Sequence, residues 1–175
     1  MDGIISTLAG RLRHDRRAGR ITWVREAHLH LTLRFLGDVE EALVPAMQEA
    51  ISAPLTAVGF EVLLEGLGMF PPAGRARVVW LGVKSGRAEL ESLSREVDDR
   101  LHAAAVPREA RPFQAHLTLG RFRDATGRPD LEASGLGKAP VGPCRVDHVT
   151  LYESRLSGTG PTYAVVAQAM MAARR

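Results

Sequence analysis

The tetrapeptide His-Leu-Thr-Leu occurs twice in this chain, at residues 30–33 and again at residues 116–119. This repeat constrains the fold more than any other feature. Each copy lies in a stretch of strand character, and each follows a helical stretch by a similar interval. The first copy continues into Arg34-Phe35 and the second into Gly120-Arg121-Phe122. Together they use two of the six histidines. The surroundings read as duplicated halves, about residues 20–60 and about residues 86–123, within one domain covering residues 1–175.

Hydrophobic periodicity fills in the elements between the copies. Residues 3–17 place Ile4, Ile5, Leu8 and Leu12 on one helical stripe, which Gly19 ends. Short strands are predicted over 21–24 and 28–36. A helix is predicted over 38–52, with Asp38 as N-cap, Glu41 as capping-box partner, and Leu43, Met47 and Ile51 facing inward. Phe60, Val62 and Leu64 alternate with Glu61 and Glu65 as in a half-buried strand, and Gly66, Gly68, Pro71, Pro72 and Gly74 mark a long turn after it. A strand over 76–84 follows, then a helix over 86–105 with Leu90, Leu93, Val97 and Leu101 on one side. Further strands are expected over 114–122, 145–153 and 162–169. Helices mixed with mostly hairpin-connected strands predict an α+β domain with antiparallel sheets.

Composition limits the functional classes. No apolar run is long enough to span a membrane, and the opening Met-Asp-Gly-Ile-Ile lacks the basic and apolar blocks of a signal peptide. The single cysteine, Cys144, can neither close an internal disulfide nor build a zinc site alone. A cytoplasmic protein without membrane partners is expected. Of 23 basic residues only Lys84 and Lys138 are lysine, and the rest are arginine. Arginine forks match phosphate oxygens in pairs, although a G- and C-rich coding sequence would raise the arginine content equally.

The spacing inside each copy has a direct geometric meaning. Residues i and i+2 of a strand project from one face, so His30 points with Thr32, and His116 with Thr118. The leucines point the other way and can anchor a core. Halves that face one another would then bring two imidazoles and two hydroxyls into one cleft. Imidazole titrates near neutral pH, so one ring can start protonated and the other neutral. Acting on a cyclic phosphodiester, one ring takes a proton from the attacking water and the other protonates the departing ribose oxygen. The threonine hydroxyls hydrogen-bond the non-bridging oxygens as charge grows there. A strained five-membered cyclic phosphate needs positioning and two proton transfers, without a metal.

These residues resemble a known family. The two His-x-Thr-Leu copies look like the paired motifs of the two-histidine phosphoesterase superfamily. WVREAHLHLTLRFLG (23–37), GLGMFP (66–71) and RPFQAHLTLGR (111–121) look closest to its RNA 2′,3′-cyclic phosphodiesterase branch, also known as 2′-5′ RNA ligases. LYES (151–154), followed by Gly160 and Tyr163, is a weaker echo, and the likeness spans about residues 20–166. The resemblance implies a bilobal α+β fold, two antiparallel sheets lining a central basic cleft with helices packed outside. It makes His30 the proton donor to the leaving oxygen, His116 the acceptor that activates water, and Thr32 and Thr118 the phosphate ligands. It implies hydrolysis of an RNA terminal 2′,3′-cyclic phosphate to a 2′-phosphate, with no metal and no cofactor. Joining of tRNA halves through a 2′-5′ linkage stays open as the main role, as does hydrolysis of a small cyclic phosphate. A binding protein that holds RNA without chemistry is the rival from another class. The family pattern also begins with an apolar strand, whereas this chain opens into its first helix at Asp2 or Gly3. Either the start is truncated relative to the natural protein or the first lobe is built with one strand fewer, and the expectation is lower stability or an edge that pairs with a neighbour; a monomer is otherwise expected.

Two arginines join the candidates. Arg34 lies two positions after Thr32, so strand alternation aims it toward substrate. Arg121 resembles a family position that helps hold the phosphate. Alternation puts it opposite His116 unless a bulge at Gly120 shifts the phase. His28 could form a His-x-His metal pair with His30, but no further ligands cluster nearby, so no metal site is expected. His14, His102 and His148 read as structural or solvated. Phe35, Phe113 and Phe122 read as core, and Cys144 lacks the histidine partner of a thiol nucleophile.

Overall fold

A computed structural model describes residues 2–132, 140–157 and 160–172. Helices and strands are mixed as expected: α1 (Asp2–Leu12), β1 (Ile21–Trp23), α2 (Val44–Ser52), β2 (Phe60–Phe70), β3 (Val78–Ser85), α3 (Arg87–Ala103), β4 (His116–Phe122), β5 (Val141–Val146), β6 (His148–Ser157) and β7 (Gly160–Met170). The fold is α+β. Among the described residues the strands form a five-stranded sheet of order β1-β4-β3-β2-β5 and a two-stranded sheet, β6-β7. The β1–β4, β4–β3, β3–β2 and β6–β7 pairs are antiparallel.

The chain divides into two compact units, each assembled from three stretches of sequence. The first comprises residues 1–32, 62–85 and 115–143; the second comprises 33–61, 86–114 and 144–175. Both His-x-Thr motifs fall in the first unit, and segments far apart in sequence interleave within each unit. In the first unit Leu8 of α1 is fully buried, as are Val79 and Leu81 of β3 and Leu119 of β4. In the second unit α2 packs on α3 and β7. Met47 and Ile51 of α2 are buried there, as are Leu90, Leu93, Val97 and Leu101 of α3.

Four local departures from the periodic reading have identifiable causes. Helix α1 ends at Leu12 rather than at residue 17. The Asp15 carboxylate there accepts from the Arg17 N–H at 2.9 Å and from the Arg17 side chain at 2.7 Å, offering the backbone a turn instead of another helical bond. Helix α2 begins at Val44, after a 3₁₀ turn over Glu41–Leu43, and not at a capped Asp38. Pro45 fits the first turn of a helix but not its interior. Strand β2 runs through Gly66 and Gly68 to Phe70. The glycines mark a bulge, with register shifts between Leu63 and Leu67 and φ +85° at Gly66, and do not end the strand. The predicted strand over 28–36 is absent: Glu26–His28 is a 3₁₀ turn, and only Leu31 bridges to a neighbour.

The second unit is tied together by one carboxylate. Glu96 of α3 accepts from the Thr56 N–H (2.9 Å), the Thr56 hydroxyl (2.8 Å) and Arg100 (2.7 Å); Arg100 also donates to the Ala53 and Pro54 carbonyls just past α2, at 2.6 Å each. Burial alone would raise the Glu96 pKa, but the Thr56 and Arg100 interactions outweigh it and hold it below the usual value. A lowered carboxylate stabilises the fold at neutral pH and loses that contribution as pH falls through its folded-state value. Glu96→Gln should therefore cost roughly 1–3 kcal/mol at pH 7. The gap to wild type should narrow in urea melts repeated toward pH 3; a gap independent of pH would show that the charge contributes nothing.

Candidate active site

Strand β4 brings the second motif to the middle of the sheet. His116 lies across from Gly82 and Thr118 across from Trp80 on β3. Leu117 and Leu119, at 5% and 0% exposure, point to the core, so His116 and Thr118 share the opposite face. The leucines thus anchor the strand as the motif predicts.

The first motif reaches the other side of β4. Strand β1 pairs with it through Trp23 opposite Gly120, and the Val24 N–H donates to the Leu119 carbonyl at 2.9 Å. Residues 25–30 then loop out through the 3₁₀ turn before Leu31 bridges antiparallel to Leu117. That register sets His30 across from Thr118 and Thr32 across from His116. The two motifs therefore run side by side at this one isolated bridge. Nδ1 of His30 lies 2.8 Å from the His28 carbonyl. A carbonyl only accepts, so Nδ1 carries the proton of this hydrogen bond.

Arg121 joins the face of His116 by the bulge that the alternation argument required. Trp80 pairs with Thr118 but the next pair is Val79 with Gly120, so β4 holds one extra residue, Leu119. Beyond it the phase is reversed, with Gly120 and Phe122 buried and Arg121 exposed. Glycine is required at the bulge, because a Cβ on residue 120 would lie 2.9 Å from the Trp23 ring and 3.0 Å from Ile21.

Arg34 is withdrawn from the substrate-facing set. After Thr32 the chain enters the second unit, where the Ser94 hydroxyl of α3 donates to the Leu33 carbonyl at 3.1 Å. The Arg34 guanidinium donates to the Pro107 carbonyl and lies 3.5 Å from Asp98 and 3.3 Å from Glu109. Its side chain is only 10% exposed. Arg111, with a smaller contribution from Arg34, lowers the Glu109 pKa to about 2 and keeps that counter-ion charged. Alternation fails for Arg34 because residues 33–36 are not a strand. Phe35, expected in the core, is 69% exposed for the same reason, whereas Phe122 is buried as predicted.

Two aromatic residues that motif reading missed line the face beside His116. Phe70 meets the imidazole edge-on, with ring centroids 4.9 Å apart, and Trp80 lies 5.2 Å from Phe70 and 6.2 Å from His116. The Trp80 indole lies flat over Gly68, where a Cβ would fall 2.2 Å from its ring. The signal was present in Gly66–Phe70, whose alternation continues through the glycines. An open cavity of about 1030 Å³ adjoins Phe70 in the same unit, lined also by Arg75, Arg77, Arg121 and Arg123. Among the described residues no three His, Cys, Asp or Glu side chains converge as a metal site, and His28 ends the 3₁₀ turn half-buried. His102 and His148 make local contacts, Nδ1 to the Val106 carbonyl (3.3 Å) and to the Asp147 carboxylate (2.6 Å). No helix among these residues is long and apolar enough to cross a membrane.

Comparison with known proteins identifies the family. The chain is 35% identical over 142 residues to the RNA 2′,3′-cyclic phosphodiesterase of Aeropyrum pernix, covering 80% of each chain. It is 32% identical over 148 residues to the protein of the same name from Aquifex aeolicus, covering 82% of this chain and 78% of that one. Among solved structures, Escherichia coli LigT complexed with 3′-AMP superimposes with a TM-score of 0.70 at 25% identity, covering 97% of this chain and 91% of the other. A Thermus thermophilus protein gives the same TM-score and identity over 97% and 92%. A family model matches residues 5–158, and with it the chain belongs to the 2′-5′ RNA ligase superfamily.

Proposed function

We propose that this protein hydrolyses the terminal 2′,3′-cyclic phosphate of RNA to a 2′-phosphate, by acid–base catalysis from His30 and His116 and without a metal. The observation that supports it most is the antiparallel Leu31–Leu117 bridge, which joins the two motifs and is consistent with two imidazoles and two threonines acting together. Water attacks phosphorus and gives its proton to His116. The bond from phosphorus to the 3′-oxygen breaks, and Nε2 of His30 delivers its proton to that oxygen, leaving a 3′-hydroxyl and a 2′-phosphate. His30 begins as the imidazolium, its Nδ1–H already committed to the His28 carbonyl. Thr32 and Thr118 donate to the non-bridging oxygens, and Arg121 supplies positive charge on the same face. The named activity of the relatives supports the same reaction class. We place the protein in the cytoplasm, acting on RNA ends.

The test is incubation with an RNA ending in a 2′,3′-cyclic phosphate in EDTA, with the product isomer assigned by phosphorus NMR. A 2′-phosphate formed in EDTA is expected. Formation of the 3′-isomer would reverse the leaving-group assignment, and RNA binding without turnover would favour the non-catalytic reading. Adding tRNA halves to the same reaction separates 2′-5′ joining from hydrolysis, and a nucleoside 2′,3′-cyclic phosphate reports on small substrates.

A further inference from the structure

The cavity beside Phe70 is unusual in its charge. Arg75, Arg77, Arg121 and Arg123 line it with Phe70, Pro71, Val78 and Phe122, and no carboxylate is among them. Seven arginines elsewhere are matched with acids: Arg17 with Asp15, Arg20 with Asp124, Arg34 and Arg108 with Asp98, Arg100 with Glu96, Arg111 with Glu109, and Arg155 with Glu153. Among the described residues none of the four cavity arginines makes such a pair. Four like charges gathered in one concavity repel one another and attract an anion of several charges.

Position supplies the second argument. Phe70 belongs to both places, touching the His116 ring on one side and walling the cavity on the other. Arg121 likewise bridges the catalytic face and the cavity. Arg123 is already oriented, since its Nε–H donates to the Thr22 hydroxyl at 2.9 Å. The volume, about 1030 Å³, sits at the top of the range for small-ligand sites (about 300–1,000 Å³), and the cavity is open rather than closed. A single terminal phosphate at His116 would leave most of it unused.

Building on the reaction proposed above, we propose that this cavity is a subsite for the phosphodiester backbone of single-stranded RNA, holding the nucleotides that precede the reacting end. Arg75, Arg77 and Arg123 pair with successive phosphates while the terminal cyclic phosphate lies against His116 and Phe70. The protein then selects oligonucleotide ends over mononucleotides, and the selection is electrostatic. For a single strand the slope of log affinity against log salt is about −0.7 per neutralised phosphate. Three phosphates predict a loss of about 20-fold between 50 and 200 mM salt.

The experiment compares kcat/KM for a hexanucleotide ending in a 2′,3′-cyclic phosphate with that for the matching nucleoside 2′,3′-cyclic phosphate. Wild type and an Arg75→Gln/Arg77→Gln/Arg123→Gln variant are run side by side. The wild-type ratio should exceed one by at least about tenfold at low salt, and should collapse toward one in the variant and in high salt. A wild-type ratio near one, or a ratio unchanged in the variant, overturns the subsite. Arg75→Gln alone, on the exposed hairpin turn, should lower the ratio in the same direction if the triple variant folds poorly. If wild type turns over neither substrate, the proposed reaction fails, and the subsite is judged by binding. Anisotropy with a fluorescein-labelled hexanucleotide ending in a 3′-phosphate should then show at least about tenfold weaker binding by the variant. Equal binding would overturn the subsite independently.

Discussion

His116→Ala should lower kcat by about 10²–10⁴-fold, the usual contribution of a positioned acid or base, while RNA binding changes little. In the proposed mechanism the imidazole accepts the proton of the attacking water, and the alanine variant keeps Thr32, Thr118, Arg121 and the arginine cavity for the proposed binding. The pH profile separates this role from a structural one. Wild type should give a bell, its acidic limb reporting the base and its alkaline limb the acid. His116→Ala should lose the acidic limb and His30→Ala the alkaline limb. The double variant should be little worse than either single one, because the two rings act on one transition state. A His116→Ala enzyme with near wild-type kcat would end the paired-histidine mechanism. A large fall in its melting temperature would instead assign His116 to packing against Phe70.

Gly68→Ala should damage both the fold and the candidate site. The new Cβ would lie 2.2, 2.3 and 2.6 Å from three atoms of the Trp80 indole, so the ring must leave its place. Overpacking of this kind costs about 1–3 kcal/mol, or a melting temperature lower by roughly 2–12 °C in a chain of this size. Activity should fall too, since Trp80 contacts Phe70 and both flank His116. Displacing a catalytic group by about 1 Å can cost up to about 10²-fold in rate. Gly3→Ala, where a Cβ meets nothing within 4 Å, is the control and should change neither property. Gly68→Ala with wild-type melting and turnover would mean that Trp80 does not rest on Gly68.

Much of this is readable from the chain itself. The leucines of the second motif are buried because strand alternation is a property of the backbone, whatever the fold around it. The stripe of Leu90, Leu93, Val97 and Leu101 is likewise buried on α3, where Ser94 joins it. Other expectations failed where local pattern met packing. Gly66 and Gly68 look like a turn, yet they carry β2 onward, because a bulge and a tryptophan resting on a hydrogen atom both need glycine. Residues 28–36 look like a strand, yet only Leu31 pairs, because β4 offers one residue between Leu117 and Leu119 while the other chain has six to place.

The two arginines mark the boundary between these kinds of knowledge. Arg34 stands at the favourable spacing after its motif and Arg121 at the unfavourable one, yet the structure reverses them. A half-buried ion-pair cluster with Asp98 and Glu109 holds Arg34 in the second unit, and the extra residue Leu119 turns Arg121 onto the face of His116. The sequence by itself determined the chemistry available: two imidazoles, each two residues from a hydroxyl, with leucines to anchor them. Only the tertiary structure decided that Leu31 bridges to Leu117, and that Phe70, Trp80 and a cavity lined by four arginines lie near the second motif. Alternation is local and follows from two dihedral angles per residue, whereas register, bulges and shared faces depend on which distant segment becomes the neighbour.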